Sequence, residues 1–223
     1  MEIWKPLERA VMPDGRPLVL SQSGERFIIR AGGQSLMESV AHGSEEALSR
    51  LGCEHARTRP APVVLIGGLG MGYTLRAALD ILPATARVVV SELMPAVVEW
   101  NRGPLAHLAG RPLDDPRVEI ALGDVQAHIA RSKGAFDAML LDVDNGPSAM
   151  PRDPNVGLYG PRGLASAKRA LRPGGTYALW SAGPDRHFVN RLRSAGFRAS
   201  EHDIPIDAFH GKRSQTVFIG QLD

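Results

Sequence analysis

Val63-Val64-Leu65-Ile66-Gly67-Gly68-Leu69-Gly70-Met71-Gly72 decides the fold of this chain. Four apolar residues run straight into a glycine cluster, and a helical pattern follows from Tyr73 to Leu82. That order reads as a buried strand, a tight turn and a helix N-terminus. Glycine has no Cβ and tolerates positive φ, so such a turn lets the backbone touch a nucleotide. The spacing is Gly68-x-Gly70-x-Gly72, with Tyr73 standing where a dinucleotide fold would place its third glycine.

Outward from this turn the chain alternates regularly. The pattern predicts strands at 63–67, 87–92, 117–122, 137–143 and 176–181, and helices at 72–82, 95–101, 124–132, 161–171 and 185–195. Strands that alternate with helices imply a parallel sheet covered on both faces. Strands at 197–203 and 215–220 have no helix between them and are expected to pair antiparallel. Upstream, Pro13-Asp14-Gly15 and Ser23-Gly24 are turn signals between apolar runs, so residues 1–32 read as a small β-hairpin or meander. Residues 34–52 read as a helix, and 57–62 as a linker rich in proline and arginine. The expected class is α/β: a Rossmann-like, doubly wound, mostly parallel sheet with an antiparallel C-terminal strand and a short N-terminal β-hairpin extension. Residues 1–60 form the extension and 61–223 the nucleotide-binding catalytic domain.

The 223 residues fit one α/β domain with a small addition. A balance of 26 Lys+Arg against 24 Asp+Glu is too even to argue for nucleic acid as a partner. Cys53 is the only cysteine, which excludes an internal disulfide and a cysteine-based metal cluster. No metal is expected, and the simplest compartment is the cytoplasm. Residues 1–9 lack the apolar core of a signal peptide, and no apolar run is long enough for a bilayer.

Ligands of open α/β sheets bind at the carboxyl ends of the strands. Those ends carry Gly67, Gly68, Gly70 and Gly72, then Glu92 with Leu93, then Gly123-Asp124, then Asp142 and Asp144. Glu92 lies about 20 residues beyond the glycine turn, the offset of a carboxylate that holds both ribose hydroxyls. The glycine spacing is similar to the first motif of S-adenosylmethionine (SAM) enzymes, which makes SAM or a relative the expected cofactor. Asp124 also suits a helix N-cap. Asp142 leaves the buried run Met139-Leu140-Leu141 directly into the expected cleft, where a carboxylate is costly unless paired or functional. His42 and Tyr159 are candidates for lining the acceptor pocket. The loop 143–160, rich in Gly and Pro, has the length of a functional lid.

These residues resemble the spermidine synthase family within the class I SAM-methyltransferase fold. The resemblance runs roughly from residue 13 to 220. It rests on Ile66 to Gly72, Val90-Ser91-Glu92-Leu93, Asp115-Pro116-Arg117-Val118 through Gly123-Asp124, Phe136 to Asp142, Leu158-Tyr159 and Leu171-Arg172-Pro173-Gly174-Gly175. Leu36 to Glu45 is similar to a trimmed form of the family's N-terminal module. The resemblance implies decarboxylated SAM as donor, a diamine as acceptor and a homodimer. It assigns ribose binding to Glu92, adenine contact to Asp124 and the acceptor amine to Asp142.

The sequence departs from the family pattern at Gly70, where the family carries an aspartate for the amino group of the aminopropyl chain. It departs again in the loop Asp142-Val143-Asp144, whose second carboxylate is shifted by one residue. Intact SAM carries a carboxylate that an aspartate would repel. The leading expectation is therefore methyl transfer from SAM to a small amine-type nucleophile, with Asp142 as the base. Aminopropyl transfer from decarboxylated SAM is the alternative, and a non-catalytic nucleotide-binding protein or an NAD-dependent oxidoreductase ranks lower.

Overall fold

The computed structural model of the chain describes residues 3–143, 146–147, 156–208 and 211–223. Strands β1 (Lys5–Val11), β2 (Pro17–Ser23), β3 (Arg26–Ala31) and β4 (Gln34–Glu38) form an antiparallel sheet in that order. The extension is thus a four-stranded meander. Its last strand corrects the helix expected over 34–52. Gly32 and Gly33 both take left-handed backbone (φ 55° and 87°) and reverse the chain in two residues, so Gln34 pairs with Ala31. Helix α1 (Gly43–Gly52) starts only after this strand.

The nucleotide-binding region follows as β5 (Val63–Gly67), α2 (Tyr73–Ile81), β6 (Arg87–Glu92), α3 (Pro95–Arg102), β7 (Val118–Leu122), α4 (Val125–Arg131) and β8 (Phe136–Leu141). It continues with α5 (Val156–Tyr159), α6 (Pro161–Ala170), β9 (Leu171–Ser181), α7 (Arg186–Ser194), β10 (Arg198–Ala208) and β11 (Gly211–Gln221). The seven-stranded sheet has the order β10-β11-β9-β8-β5-β6-β7. Strands β5 to β9 pair in parallel, and β11 runs antiparallel to both β9 and β10. The terminal hairpin is longer than expected, with pairing that runs on to Ala208 and Gly211.

The period-2 geometry of a strand divides its side chains between two layers. Val64, Ile66, Val88, Val90, Ala138 and Leu140 pack with α1, α2, α3 and the N-terminal sheet. Leu65, Val89, Met139, Leu141 and Leu179 pack with α4, α6 and α7. Every residue of β8 is buried, which is why the strand reads as a nearly unbroken apolar run. Asp137 is the exception within it. Its carboxylate accepts from Val63 N at 2.7 Å and pairs with Arg172 at 2.7 Å and Arg59 at 3.2 Å. This pins the linker and the start of β9 to the amino end of the sheet, far from the glycine turn. No helix among the described residues is long and apolar enough to cross a membrane.

Candidate nucleotide and acceptor site

After β5 the chain goes to β6 and β7 on one side, then returns to β8 and β9 on the other. A crevice opens where the direction of winding reverses, at the carboxyl ends of the strands. The glycine turn sits there. Gly68 N donates to Ser91 O at 2.9 Å, and Asp142 N donates to Gly67 O at 2.9 Å, so the turn is stitched to both neighbouring strand ends. Gly68 takes φ 86°, and a Cβ on it would run into the carbonyl oxygen of Asp142. Only glycine permits this approach of two backbones.

Glu92, at the end of β6, holds the turn from beneath. One carboxylate oxygen accepts from Leu69 N and the other from Met94 N, each at 2.8 Å. The side chain is buried, and burial pushes its carboxyl above the usual range against the opposing pull of these backbone donors. Each oxygen keeps a further lone pair, so the carboxylate fits two ribose hydroxyls as well as the turn. Asn101 of α3 clamps the same turn from outside, with Nδ2 donating to Gly70 O at 2.8 Å and to Val97 O at 2.9 Å. Its Oδ1 is buried and has no donor among the described residues.

Leu93 leaves β6 with 48% of its surface exposed, an apolar shelf beside Glu92 that fits the face of a base. Gly123 N donates to Glu92 O at 2.8 Å, which brings the end of β7 alongside. Asp124 caps α4 by accepting from Gln126 N at 2.8 Å, and it is exposed. The fold therefore lines up Gly67, Gly68, Gly70, Gly72, Glu92, Leu93, Gly123, Asp124 and Asp142 along adjacent strand ends.

On the other flank, Thr74 in the first turn of α2 donates its hydroxyl to Asp142 Oδ2 at 2.9 Å. Ser49 Oγ of α1 donates to Thr74 O at 2.7 Å. Residues 37–46 roof this region. The sulfur of Met37 lies 2.8 Å from where a Cβ on Gly70 would be, so an apolar side chain covers that glycine. The His42 ring stacks on Tyr73, with centroids 4.2 Å apart and planes 16° apart, and its Nδ1 pairs with Glu46 at 2.7 Å. Tyr73 OH donates to Ser39 O at 3.0 Å.

His42 thus lies against Tyr73, the first residue of α2 after the glycine turn. Tyr159 is buried in the core layer with α6 and α7, its ring edge-on to Phe188 with centroids 6.1 Å apart. Asp144 and most of the expected lid loop lie outside the described residues. Sequence reasoning misses Thr74, Asn101, Met37 and Tyr73. A helix-facing Thr or Asn carries no pattern of its own, and Met37 falls in a stretch that reads as helix. No three His, Cys, Asp or Glu residues gather as a metal site among the described residues.

The spermine/spermidine synthase domain family matches residues 41–187. A polyamine aminopropyltransferase of Mycobacterium tuberculosis (strain CDC 1551 / Oshkosh) is 30% identical over 156 residues, covering 66% of this chain and 29% of that protein. The Nitrosomonas europaea polyamine aminopropyltransferase is 33% identical over 130 residues, covering 58% of this chain and 37% of the relative. That of Bacillus mycoides is 30% identical over 151 residues, covering 67% and 51%. The chain therefore spans from under a third to about half the length of these relatives. A solved spermidine synthase in complex with the transition state analogue AdoDATO superposes with a TM-score of 0.73 at 18% identity, covering 98% of this chain and 73% of the other. Spermidine synthase from Thermotoga maritima gives a TM-score of 0.74 at 18% identity over the same shares, a likeness of fold. The named curated relatives are aminopropyltransferases, the alternative in the sequence reading, whereas methyl transfer is the reaction that reading puts first. With the family match running from the roof over the glycine turn to the start of α7, the chain belongs to the spermine/spermidine synthase family.

Proposed function

We propose that the chain is a polyamine-type aminopropyltransferase, moving the aminopropyl group of decarboxylated SAM onto a small amine. The observation that carries this reading is the pair of carboxylates at the strand ends on either side of β5. Glu92 is locked into the glycine turn, and Asp142 is steered by Thr74 beside it. The first suits the ribose of a nucleoside, and the second suits an amine that must lose a proton. The kinship with aminopropyltransferases supplies the reaction class.

The donor, when bound, supplies an electrophilic carbon on a sulfonium, whose thioether departs without needing a proton. Asp142 does the rest of the acid–base work. Its carboxylate attracts the ammonium of the acceptor, turns the lone pair toward the donor carbon and accepts the proton, directly or through water. Nitrogen–carbon bond formation then accompanies carbon–sulfur bond cleavage. General-base help of this kind is worth ~10²–10⁴-fold. The Thr74 hydroxyl fixes one carboxylate oxygen of Asp142.

Methyl transfer from intact SAM stays as a second reading because of Gly70. The turn offers no carboxylate to the end of the donor's alkyl chain, and Met37 covers the position with an apolar side chain. The deciding experiment incubates the protein with decarboxylated SAM or SAM and a panel of small amines, and weighs the products. An aminopropyl increment from decarboxylated SAM alone supports the first reading. A methyl increment from SAM replaces it with the second, and no product from either donor removes both. Asp142→Asn abolishes turnover and leaves nucleoside affinity within a few-fold; unchanged turnover would take the base role away from Asp142.

A further inference from the structure

Leu69 and Gly70, successive residues of the glycine turn, are held by two side chains at either end of α3. Glu92, ahead of the helix, accepts from Leu69 N and from the N–H of Met94, the N-cap of α3. Asn101, in the last turn of α3, is 1% exposed and reaches the next residue of the glycine turn. Its Nδ2 donates to Gly70 O at 2.8 Å and to Val97 O at 2.9 Å. Both hydrogens of the amide nitrogen are thereby used, each on a main-chain carbonyl. This settles which end of the amide faces the turn, since the flipped amide would set one oxygen against two others.

The other end of the amide has no such partner. Oδ1 is buried without a donor among the described residues. It lies 3.1 Å from where a Cβ on Gly72 would be, so the amide spans the outside of the turn from Gly70 to Gly72. A buried acceptor without a donor costs stability, and an apolar residue of similar size would avoid that cost. Packing alone is therefore a poor reason for an asparagine here. What the amide supplies is direction. Gly70 has φ 52° and Gly72 φ 85°, and neither has a side chain to limit its rotation. A trans peptide points its N–H opposite its C=O, so tying the Gly70 carbonyl to α3 turns Met71 N–H away from Asn101. Gly70 N and Met71 N donate to no oxygen among the described residues.

We propose that Asn101 is a positioning residue for the donor. It holds the Gly70–Met71 peptide, before the nucleoside arrives, in the orientation in which the turn receives it. Without this hold the two glycines are ordered by binding itself, and that cost shows as lost affinity. The inference rests on the donor site described above and adds to it a residue that acts through the main chain.

The test is calorimetry of decarboxylated SAM, and of the thioether nucleoside 5′-methylthioadenosine left after transfer, with the wild type, Asn101→Leu and Asn101→Ser. Leucine fills the space and donates nothing. Serine sends its hydroxyl back to Val97 O, as serines within helices do, and is too short for Gly70. Both variants bind both nucleosides about 10-fold more weakly, the weight of roughly one net hydrogen bond. In turnover the loss falls on the donor KM, with the acceptor KM unchanged, and saturating donor restores kcat. Should Asn101→Leu fail to fold, Asn101→Ser decides alone. A lower melting temperature with unchanged affinities, measured where the variants are folded, is the mark of a merely structural residue and overturns the inference. Equal rises in donor and acceptor KM overturn it too. A wild type that binds neither nucleoside, nor SAM, overturns the donor site and the inference together. A wild type that transfers methyl from SAM overturns only the aminopropyl reading, and the same comparison is then read with SAM.

Discussion

Replacing Gly68 by alanine tests whether the glycine turn and the Asp142 backbone are as close as the structure makes them. Two costs add. An L-residue at φ 86° pays about 1–2 kcal/mol for left-handed backbone. The new Cβ would also overlap the Asp142 carbonyl oxygen and come within 3.1 Å of its carbonyl carbon. Both obstacles are main chain, pinned by the bond from Asp142 N to Gly67 O, so they yield only by moving the strand end. Overpacking of that kind adds about 1–3 kcal/mol. The total of roughly 2–5 kcal/mol lowers the melting temperature by roughly 4–20 °C for a chain of this size. Gly15→Ala is the control, because Gly15 has φ 84° but nothing within 4 Å of an added Cβ. It pays the backbone cost alone. Thermal unfolding followed by circular dichroism, with nucleoside titration by calorimetry, reads both effects. Gly68→Ala melts below Gly15→Ala and also loses nucleoside affinity, since Asp142 and the turn shift together. If the two variants melt within about 1 °C of each other, the close approach of these backbones is refuted.

Glu92→Gln weakens nucleoside binding by about 1–3 kcal/mol, the value of a charge-assisted hydrogen bond lost to the ribose; unchanged affinity in calorimetry would remove Glu92 from that role. Because burial raises the folded carboxyl above its usual 4.5, Glu92 contributes stability that is full below that range and is lost as pH rises through the shifted value. The Gln variant lacks this loss, so its melting temperature gains on the wild type as pH rises through that window; a constant difference contradicts the burial argument. Thr74→Val, nearly isosteric, lowers kcat by roughly 10-fold as Asp142 loses its guide, with nucleoside affinity intact, and equal kcat would show that Asp142 is oriented without it. Cys53 is fully buried with its thiol pushed up to about 12, so a thiol reagent labels it only on unfolding; rapid labelling of the native protein would contradict that burial.

The order of strands and helices from residue 63 onward is legible because each signal is local. Apolar runs, glycine turns and helix periods are written within a few residues of one another. The β4 strand is not legible. Residues 34–38 carry no clear period, and their state is decided by the Gly32-Gly33 reversal and by the pairing with β3 that it imposes. Tyr159 shows the same limit within the site. Its place at the end of a long Gly- and Pro-rich stretch suggests a pocket, while its ring packs on Phe188, almost thirty residues later in the chain.

The sequence by itself determined the α/β class, the glycine turn and the carboxylates at the strand ends, since alternation along the chain dictates which residues finish a strand. Tertiary structure alone decided what those residues do together. Glu92 is tied to Leu69 N and Met94 N, Asp142 to Thr74, and Gly70 lies under Met37. Such contacts join elements that are distant in the chain. They depend on how the roof, the helices and the sheet pack, and no local pattern records them.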